Sequence, residues 1–329
     1  MGRALKAYLH SLKVMLGAAP GKPDKSDYSE EARALHAYKK TPEVRLVRLA
    51  KIREELADKK PSYKWRKWRW ASIILINLMF VVSYKFDVQL VEGALTASRF
   101  VGFHMADLNS GIQITLAQKT ILTNVVIGMV TVAVLWWLVG GRAFCSWACP
   151  YHLASEWVEM LHLKLVEKGW AKDIPLHRGM RTVLYVVFAA LAFITSFTVF
   201  EFINPVGILS RAFTYGLTLA LAWVGLLLLI ELFFIRRFWC RYVCPIGITY
   251  SLVGSVSPTV VHYDLNECLH EGECRAVCLV PHVLDMTIKG RATDVNMDIG
   301  ADCTRCGMCL EACPTGALSF KVKGLGGLL

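Results

Sequence analysis

The sequence predicts an α-helical membrane protein of four transmembrane helices, built as two parallel hairpin repeats and followed by a small α+β domain organised by cysteine. Three observations carry that expectation. Of 329 residues, 55% are hydrophobic, which is too apolar for an ordinary soluble domain, and the length leaves room for a membrane part and a compact soluble part. Four apolar runs approach the ~20 residues that a helix needs to cross a bilayer. All eleven cysteines fall into four tight groups, with none left over as a stray thiol.

The first element is a basic arm over residues 1–67. Leu5, Leu9, Leu12 and Leu16 share one helical face with Lys6 and Lys13 outside it, and a second amphipathic helix follows Thr41-Pro42 through Val47, Ala50, Ile52 and Leu56. Such an arm lies on lipid or on the protein's own surface, or docks a partner. Its apolar run Val14 to Ala19 is shorter than the roughly 7–15 residues of a secretory signal core, so no cleavage is expected.

The predicted spans run from Trp70 to Tyr84, Ile121 to Gly140, Val183 to Phe200 and Thr214 to Ile235, within a domain of residues 68–257. Basic residues gather on one side of them. They are Lys59, Lys60, Lys64, Arg66, Lys67 and Arg69 before the first span, Arg142, Lys164, Lys168, Lys172, Arg178 and Arg181 between the second and third, and Arg236, Arg237 and Arg241 after the fourth. The positive-inside rule then places both termini and every cysteine group in the cytoplasm of a multi-pass inner-membrane protein. The net charge of +11 is read the same way, as topology and contact with anionic membrane lipid rather than nucleic-acid binding.

An internal repeat organises this domain. Cys145-x3-Cys149-Pro150 and Cys240-x3-Cys244-Pro245 each follow a hairpin of two apolar runs, whose intervening loop carries a polar turn, Asp107 to Gly111 in one and Asn204 to Gly207 in the other. Hairpins running in the same direction are related by an axis along the membrane normal, which brings the two pairs together at the cytoplasmic face. An i, i+4 spacing places both thiols on one helical face, and the proline ends the helix just past the second. Three readings of these four thiols stay open: an additional cluster, a redox-active or metal-transfer site, or small buried residues with no ligand role. The basic neighbours Arg142 and Arg241 favour thiolate.

The C-terminal domain, residues 258–329, carries the most specific signal. Cys303-x2-Cys306-x2-Cys309-x3-Cys313-Pro314 is the spacing of a bacterial ferredoxin loop, in which three cysteines wrap one [4Fe–4S] cluster and the fourth reaches a second. Its companion keeps Cys268, Cys274 and Cys278 but has Glu271 at the second ligand position and Leu279 in place of the proline. Crossed ligation assigns Cys303, Cys306, Cys309 and Cys278 to a full cluster, and Cys268, Cys274 and Cys313 to another. That second cluster holds three irons, or four with Glu271, His270 or solvent as the last ligand, unless the loop binds none. There is no Cys-x-x-Cys-His for c-type haem, no Gly-x-Gly-x-x-Gly or P-loop, and no paired histidines in the spans for b-haem.

Gly141-Arg-Ala-Phe-Cys-Ser-Trp-Ala-Cys-Pro150, Phe238-Trp-Cys-Arg-Tyr-Val-Cys-Pro-Ile-Gly247, the Asn204-Pro-Val-Gly-Ile208 turn and the ferredoxin loops together resemble the NapH/MauN family. The likeness covers Trp68 to the C-terminus and departs from the family pattern at Glu271, at Leu279 and in the long basic arm. It implies a membrane ferredoxin subunit of a quinol dehydrogenase. Such a subunit takes electrons from menaquinol or ubiquinol and passes them to a periplasmic iron–sulfur partner of the NapG type, which serves a downstream reductase. Quinol oxidation releases protons, and His104, Asp107, Glu201 and Glu231 are the candidate acceptors, each with a structural alternative such as pairing of Glu231 with Arg236, Arg237 or Arg142. His152, beside Cys149-Pro150, is a candidate outer donor to the cysteine site. Two other functions fit the same residues: an assembly or maturation factor that reduces a metal or protein through the cysteine pairs and clusters, and a docking scaffold for a soluble iron–sulfur subunit.

Overall fold

The computed structural model describes residues 3–58, 63–88, 91–323 and 326–327; Lys59 and Lys60 lie outside the described residues. Among the described residues, no helix is long and apolar enough to cross a membrane. The expectation of four transmembrane helices is therefore corrected, and the multi-pass inner-membrane placement with cytoplasmic termini falls with it.

The physical reason lies in where each apolar run stops being helical. Ile121 to Gly140 yields the helix Thr123–Val139, 17 residues ended by Gly140 at φ +126°. Met180–Thr195 has 16 residues and is ended by Ser196 in the left-handed region. The fourth run is cut by Gly216 at φ +107°, leaving Ala220–Phe233 with 14 residues. At 1.5 Å per residue these helices are about 21–26 Å long, short of a ~30 Å hydrocarbon core. Lys64–Lys85 is longer at 22 residues, but Lys64, Arg66, Lys67 and Arg69 occupy its first two turns. Arg69 there is fully buried on Glu156, at 2.9 Å. The apolar composition goes partly into the core and partly into outward faces, where Ile74, Leu75, Val134, Val186 and Leu229 are exposed.

The polar turns between the runs are helix starts. Asp107 caps Leu108–Gln118 by accepting from the backbone N–H groups of Asn109 and Ser110, and Asn204 caps Pro205–Tyr215 through Val206 N–H. Asp and Asn are strong N-caps, and proline at the first helical position suits its fixed φ. A small antiparallel sheet, β1 (Val91–Ala94), β2 (Ala97–Phe100) and β3 (Phe103–Ala106), fills the first of these loops. A second sheet has the order β5-β4-β6-β7, with β4 at Thr259–Asp264, β5 at Asn296–Asp298, β6 at Leu318–Val322 and β7 at Gly326–Gly327.

Two hydrophobic cores result. One gathers Phe144, Tyr151, Phe200, Trp239 and Tyr250 from both repeats, and the other gathers the C-terminal cysteine loops with Tyr263, Leu265 and Phe320. The arm, with helices Arg3–Met15, Glu30–Tyr38 and Pro42–Asp58, reaches the second core through Glu30–Tyr38, which contributes Ala32, fully buried there, and through Trp65, which packs edge-on against Phe320 at 5.2 Å. Ser29 caps Glu30–Tyr38, His36 Nε2 bonds Ala292 O at 2.9 Å, and Lys39 Nζ donates to the carbonyls of Leu265, Asn266 and Cys268. Where Arg3–Met15 ends, Arg178, Arg181 and Thr182 donate to the carbonyls of Val14, Met15 and Leu16, satisfying groups that a helix end leaves open.

Candidate functional site

Cys145, Cys149, Cys240 and Cys244 line one cavity of about 270 Å³. Each pair reaches it through a break in the chain rather than along one helix. Cys145 sits on the short helix Ala143–Trp147, whereas Cys149 has extended backbone, and Pro150 opens Pro150–Glu167. In the other repeat Cys240 lies on the π-helical turn Trp239–Val243, Cys244 is extended, and Pro245 caps Ile246–Ser255. The shared helical face expected from i, i+4 spacing is thus replaced by a helix-to-helix corner, because the proline starts the following helix.

All four thiols are free, with Cys149 and Cys244 buried and Cys145 and Cys240 half-buried. Burial pushes every one of them up, Cys244 to about 12, and outweighs the lowering effect of Arg142 on Cys145 and Cys244. Thiols in that state are poor nucleophiles, so the favouring of thiolate expected from Arg142 and Arg241 is overridden by desolvation. A bound metal would deprotonate them outright. The cavity also suits an anionic group. Arg142, Arg181 and Arg237 line it, and Arg142 Nε and Arg237 Nη2 are buried with no hydrogen-bond partner among the described residues.

The opposite wall of the cavity comes from the C-terminal domain, through Leu279 to His282 after Cys278 and through Asp302 and Thr304 beside Cys303. Asp302 is the joint. Its carboxylate accepts from Arg142 at 2.6 Å, Arg181 at 3.0 Å, Ser251 at 2.8 Å and His282 Nε2 at 2.7 Å. Burial alone would raise its pKa, but Arg142 and Arg181 hold the carboxyl well below the usual range. Ser146 donates to Thr304 O at 2.6 Å and Trp147 Nε1 to Arg305 O at 3.1 Å, so the first cysteine helix grips the ferredoxin loop directly.

The two C-terminal loops repeat one local geometry. Arg305 and His270 both adopt left-handed backbone, at φ 50° and 58°, and each donates its N–H at 3.4 Å to the sulfur two residues earlier, Cys303 and Cys268. Gly307 and Gly272, at φ 75° and 93°, then open the short helices Met308–Ala312 and Glu273–Ala276, which carry Cys309 and Cys274. The loops are crossed. After burial, the charges acting most on Cys278 come from Cys306 and Cys303, whereas Cys274, pushed up to about 11, feels Cys268 and Cys313. Among the described residues, no three His, Cys, Asp or Glu side chains converge closely enough for a single ion.

The candidate proton acceptors divide. His104 is exposed on β3, apart from the cavity. Asp107 and Glu201 are joined through the Ser110 hydroxyl, and burial raises both carboxyls. Among the described residues Glu231 makes no direct ion pair with an arginine, although the charge of Arg237 acts on it; it accepts from Tyr151 OH at 2.9 Å, Ser155 at 2.6 Å and Trp239 N–H at 3.0 Å. Tyr250 OH donates to Asp107 at 2.9 Å and stacks on Phe144 at 4.9 Å, next to Cys145. His152 lines the cavity but bonds Arg237 at 3.3 Å; burial, then Arg237, drives its pKa well below 6.5, so it serves as a neutral acceptor. The sequence reading missed Asp302, Arg181, His282, Tyr151 and Tyr250. An acidic residue set directly before the first cysteine of the C-terminal loop was the one available signal, for Asp302.

Comparison with known proteins follows the same segments. A 4Fe-4S binding domain family matches residues 121–169 and 216–260, each containing one Cys-x3-Cys-Pro pair, and a second 4Fe-4S binding domain family matches residues 301–319. The methylamine utilization ferredoxin-type protein MauN of Methylorubrum extorquens is 30% identical over 80% of this chain and 91% of its own length. The chain belongs to the MauN/NapH family of ferredoxin-type proteins. The ferredoxin-type protein NapH of Escherichia coli K12 is 28% identical over 80% of this chain and 93% of its own, and MauN of Paracoccus denitrificans is 28% identical over 74% and 84%. No solved structure matches the chain. Membership of the MauN/NapH family, together with the matched domains, makes this an iron–sulfur electron-transfer protein.

Proposed function

We propose that the chain relays electrons from a quinol-class donor to an iron–sulfur partner protein of the NapG type through three cysteine-held clusters. The first set is Cys145, Cys149, Cys240 and Cys244; the second is Cys278, Cys303, Cys306 and Cys309; the third is Cys268, Cys274 and Cys313. The observation that carries this reading is the shared wall, since residues flanking Cys278 and Cys303 close the cavity that the first set lines. Bound clusters supply one-electron storage at each set.

The chain's own side chains do the rest. Arg142, Arg181 and Arg237 offset the negative charge of four thiolates, and Asp302 holds two of those cations in place. Loss of electrons from a quinol comes with loss of protons, which need acceptors beside the first set. Two cross-repeat pairs meet that need: Asp107 of the first repeat bonds Tyr250 of the second, and Glu231 of the second bonds Tyr151 of the first. Burial raises both carboxyls, toward the range in which they accept and return a proton.

Anaerobic protein treated with excess quinol analogue tests the reading. The expected result is about twelve irons per chain and reduced-cluster EPR signals, with about four irons lost in the Cys145→Ala, Cys240→Ala double variant. Clusters that stay oxidised under excess quinol, or an iron count unmoved by that variant, would overturn it.

A further inference from the structure

The third set is one thiolate short, and the backbone shows which side chain stands in the vacant register. In the C-terminal loop the left-handed residue Arg305 is followed by Cys306 and then Gly307; in its companion the left-handed residue His270 is followed by Glu271 and then Gly272. The N–H-to-sulfur bonds that set the turn are both 3.4 Å. Two loops with the same turn aim the Cβ of the next residue the same way, so Glu271 is presented where Cys306 is.

Three further observations bear on the site. Glu271 is half-buried, and its charge acts on both Cys268 and Cys274, the two thiols it would have to join. Lys39, brought in by the arm, bonds the Cys268 carbonyl at 2.7 Å and sets a buried cation beside the loop. His270 is the rival donor. Its Nδ1 donates to Thr287 O at 2.9 Å and lies 3.6 Å from Cys268 sulfur, so the nitrogen nearer the sulfur carries its proton and has no lone pair for iron. Its Nε2 is buried without a partner among the described residues, which makes it the alternative to test.

We propose that Glu271 is the fourth ligand of the third set, completing Cys268, Cys274, Cys313 and Glu271 around a cluster with one oxygen-bound iron. This rests on the reading that the set holds a cluster at all. A carboxylate is a harder donor than thiolate and a poorer match for sulfide-bound iron. The iron it holds is the exchangeable one. One-electron oxidation by ferricyanide converts [4Fe–4S]2+ into [3Fe–4S]+, releasing Fe2+ while the electron passes to ferricyanide; Fe2+ and one electron reverse the step. The all-cysteine first and second sets resist the same treatment, so the chain carries two durable centres and one convertible one.

The experiment is a ferricyanide titration of the anaerobic full chain followed by EPR and iron analysis. Wild-type protein is expected to gain a [3Fe–4S]+ signal and lose one iron per cluster converted, and to regain it with Fe2+ and dithionite. Glu271→Cys is expected to abolish the signal, Glu271→Ala to show it before oxidant is added, and His270→Ala to behave as wild type. A three-iron signal before oxidant in His270→Ala, with Glu271→Ala unchanged from wild type, would overturn the assignment in favour of histidine. An iron count showing no third-set cluster in wild type and in Glu271→Cys alike would remove the underlying reading itself, and that outcome is distinct because no variant then changes the spectrum.

Discussion

The tetracysteine cavity and the C-terminal loops present the same kind of donor by opposite means. In the loops the backbone does the holding: left-handed residues, glycines at positive φ and N–H groups aimed at sulfur lie within a dozen residues of the thiols they orient. In the cavity the donors come from two repeats far apart in the chain, and buried cations anchored on Asp302 hold the wall together. A locally specified site tolerates loss of distant contacts, whereas a cavity built from remote segments depends on the few polar residues that join them.

The largest effect that this contrast predicts is at Asp302. Asp302→Ala strands two buried arginines and should cost about 3–5 kcal/mol, read as the denaturant midpoint of the anaerobic protein. A loss under about 1 kcal/mol would mean that the cavity does not hang on this joint. Next is a paired test of the loops. Gly307→Ala puts a Cβ 2.6 Å from the Trp65 ring on top of its left-handed backbone, whereas Gly272→Ala meets nothing within 4 Å. Their expected costs are about 3 kcal/mol and about 1–2 kcal/mol; equal costs would show that the arm's packing on Gly307 carries no weight.

The smallest effect is a pH slope. Burial, opposed by its bond to Asp302, brings His282 down to about 4. Its folded pKa lies below the unfolded value near 6.5, so the neutral ring contributes stability above 6.5 that is lost as pH falls toward 4. Urea unfolding at pH 7.0 and 5.5 should differ by roughly 1 kcal/mol more in wild type than in His282→Gln. An identical difference would place the acid sensitivity elsewhere.

The family, and its iron–sulfur electron-transfer character, were legible in the sequence because their signal is local: the run from Cys303 to Pro314 sits on consecutive residues. The apolar runs misled because hydropathy measures composition and not where a helix ends. Gly140, Ser196 and Gly216 stop helices that composition alone would extend. The role of Pro150 was misread for a related reason, since a proline after an i, i+4 pair is equally a stop and a start. Asp302 and Tyr151 were invisible because their partners, His282 apart, lie 51 to 160 residues away. The cross-repeat carboxyl–tyrosine pairs have no local pattern to betray them.

The arm's grip on the C-terminal half has a bearing on how the chain is born. Ala32, His36 and Lys39 find their partners at Leu265 to Ala292, and Trp65 finds Phe320. On a ribosome adding roughly 5–20 residues per second, these residues wait some tens of seconds for partners that lie more than 200 residues further along the chain. Through that interval the arm's buried positions stay unclaimed, and a chain cut short before Leu265 leaves His36 and Lys39 without their acceptors.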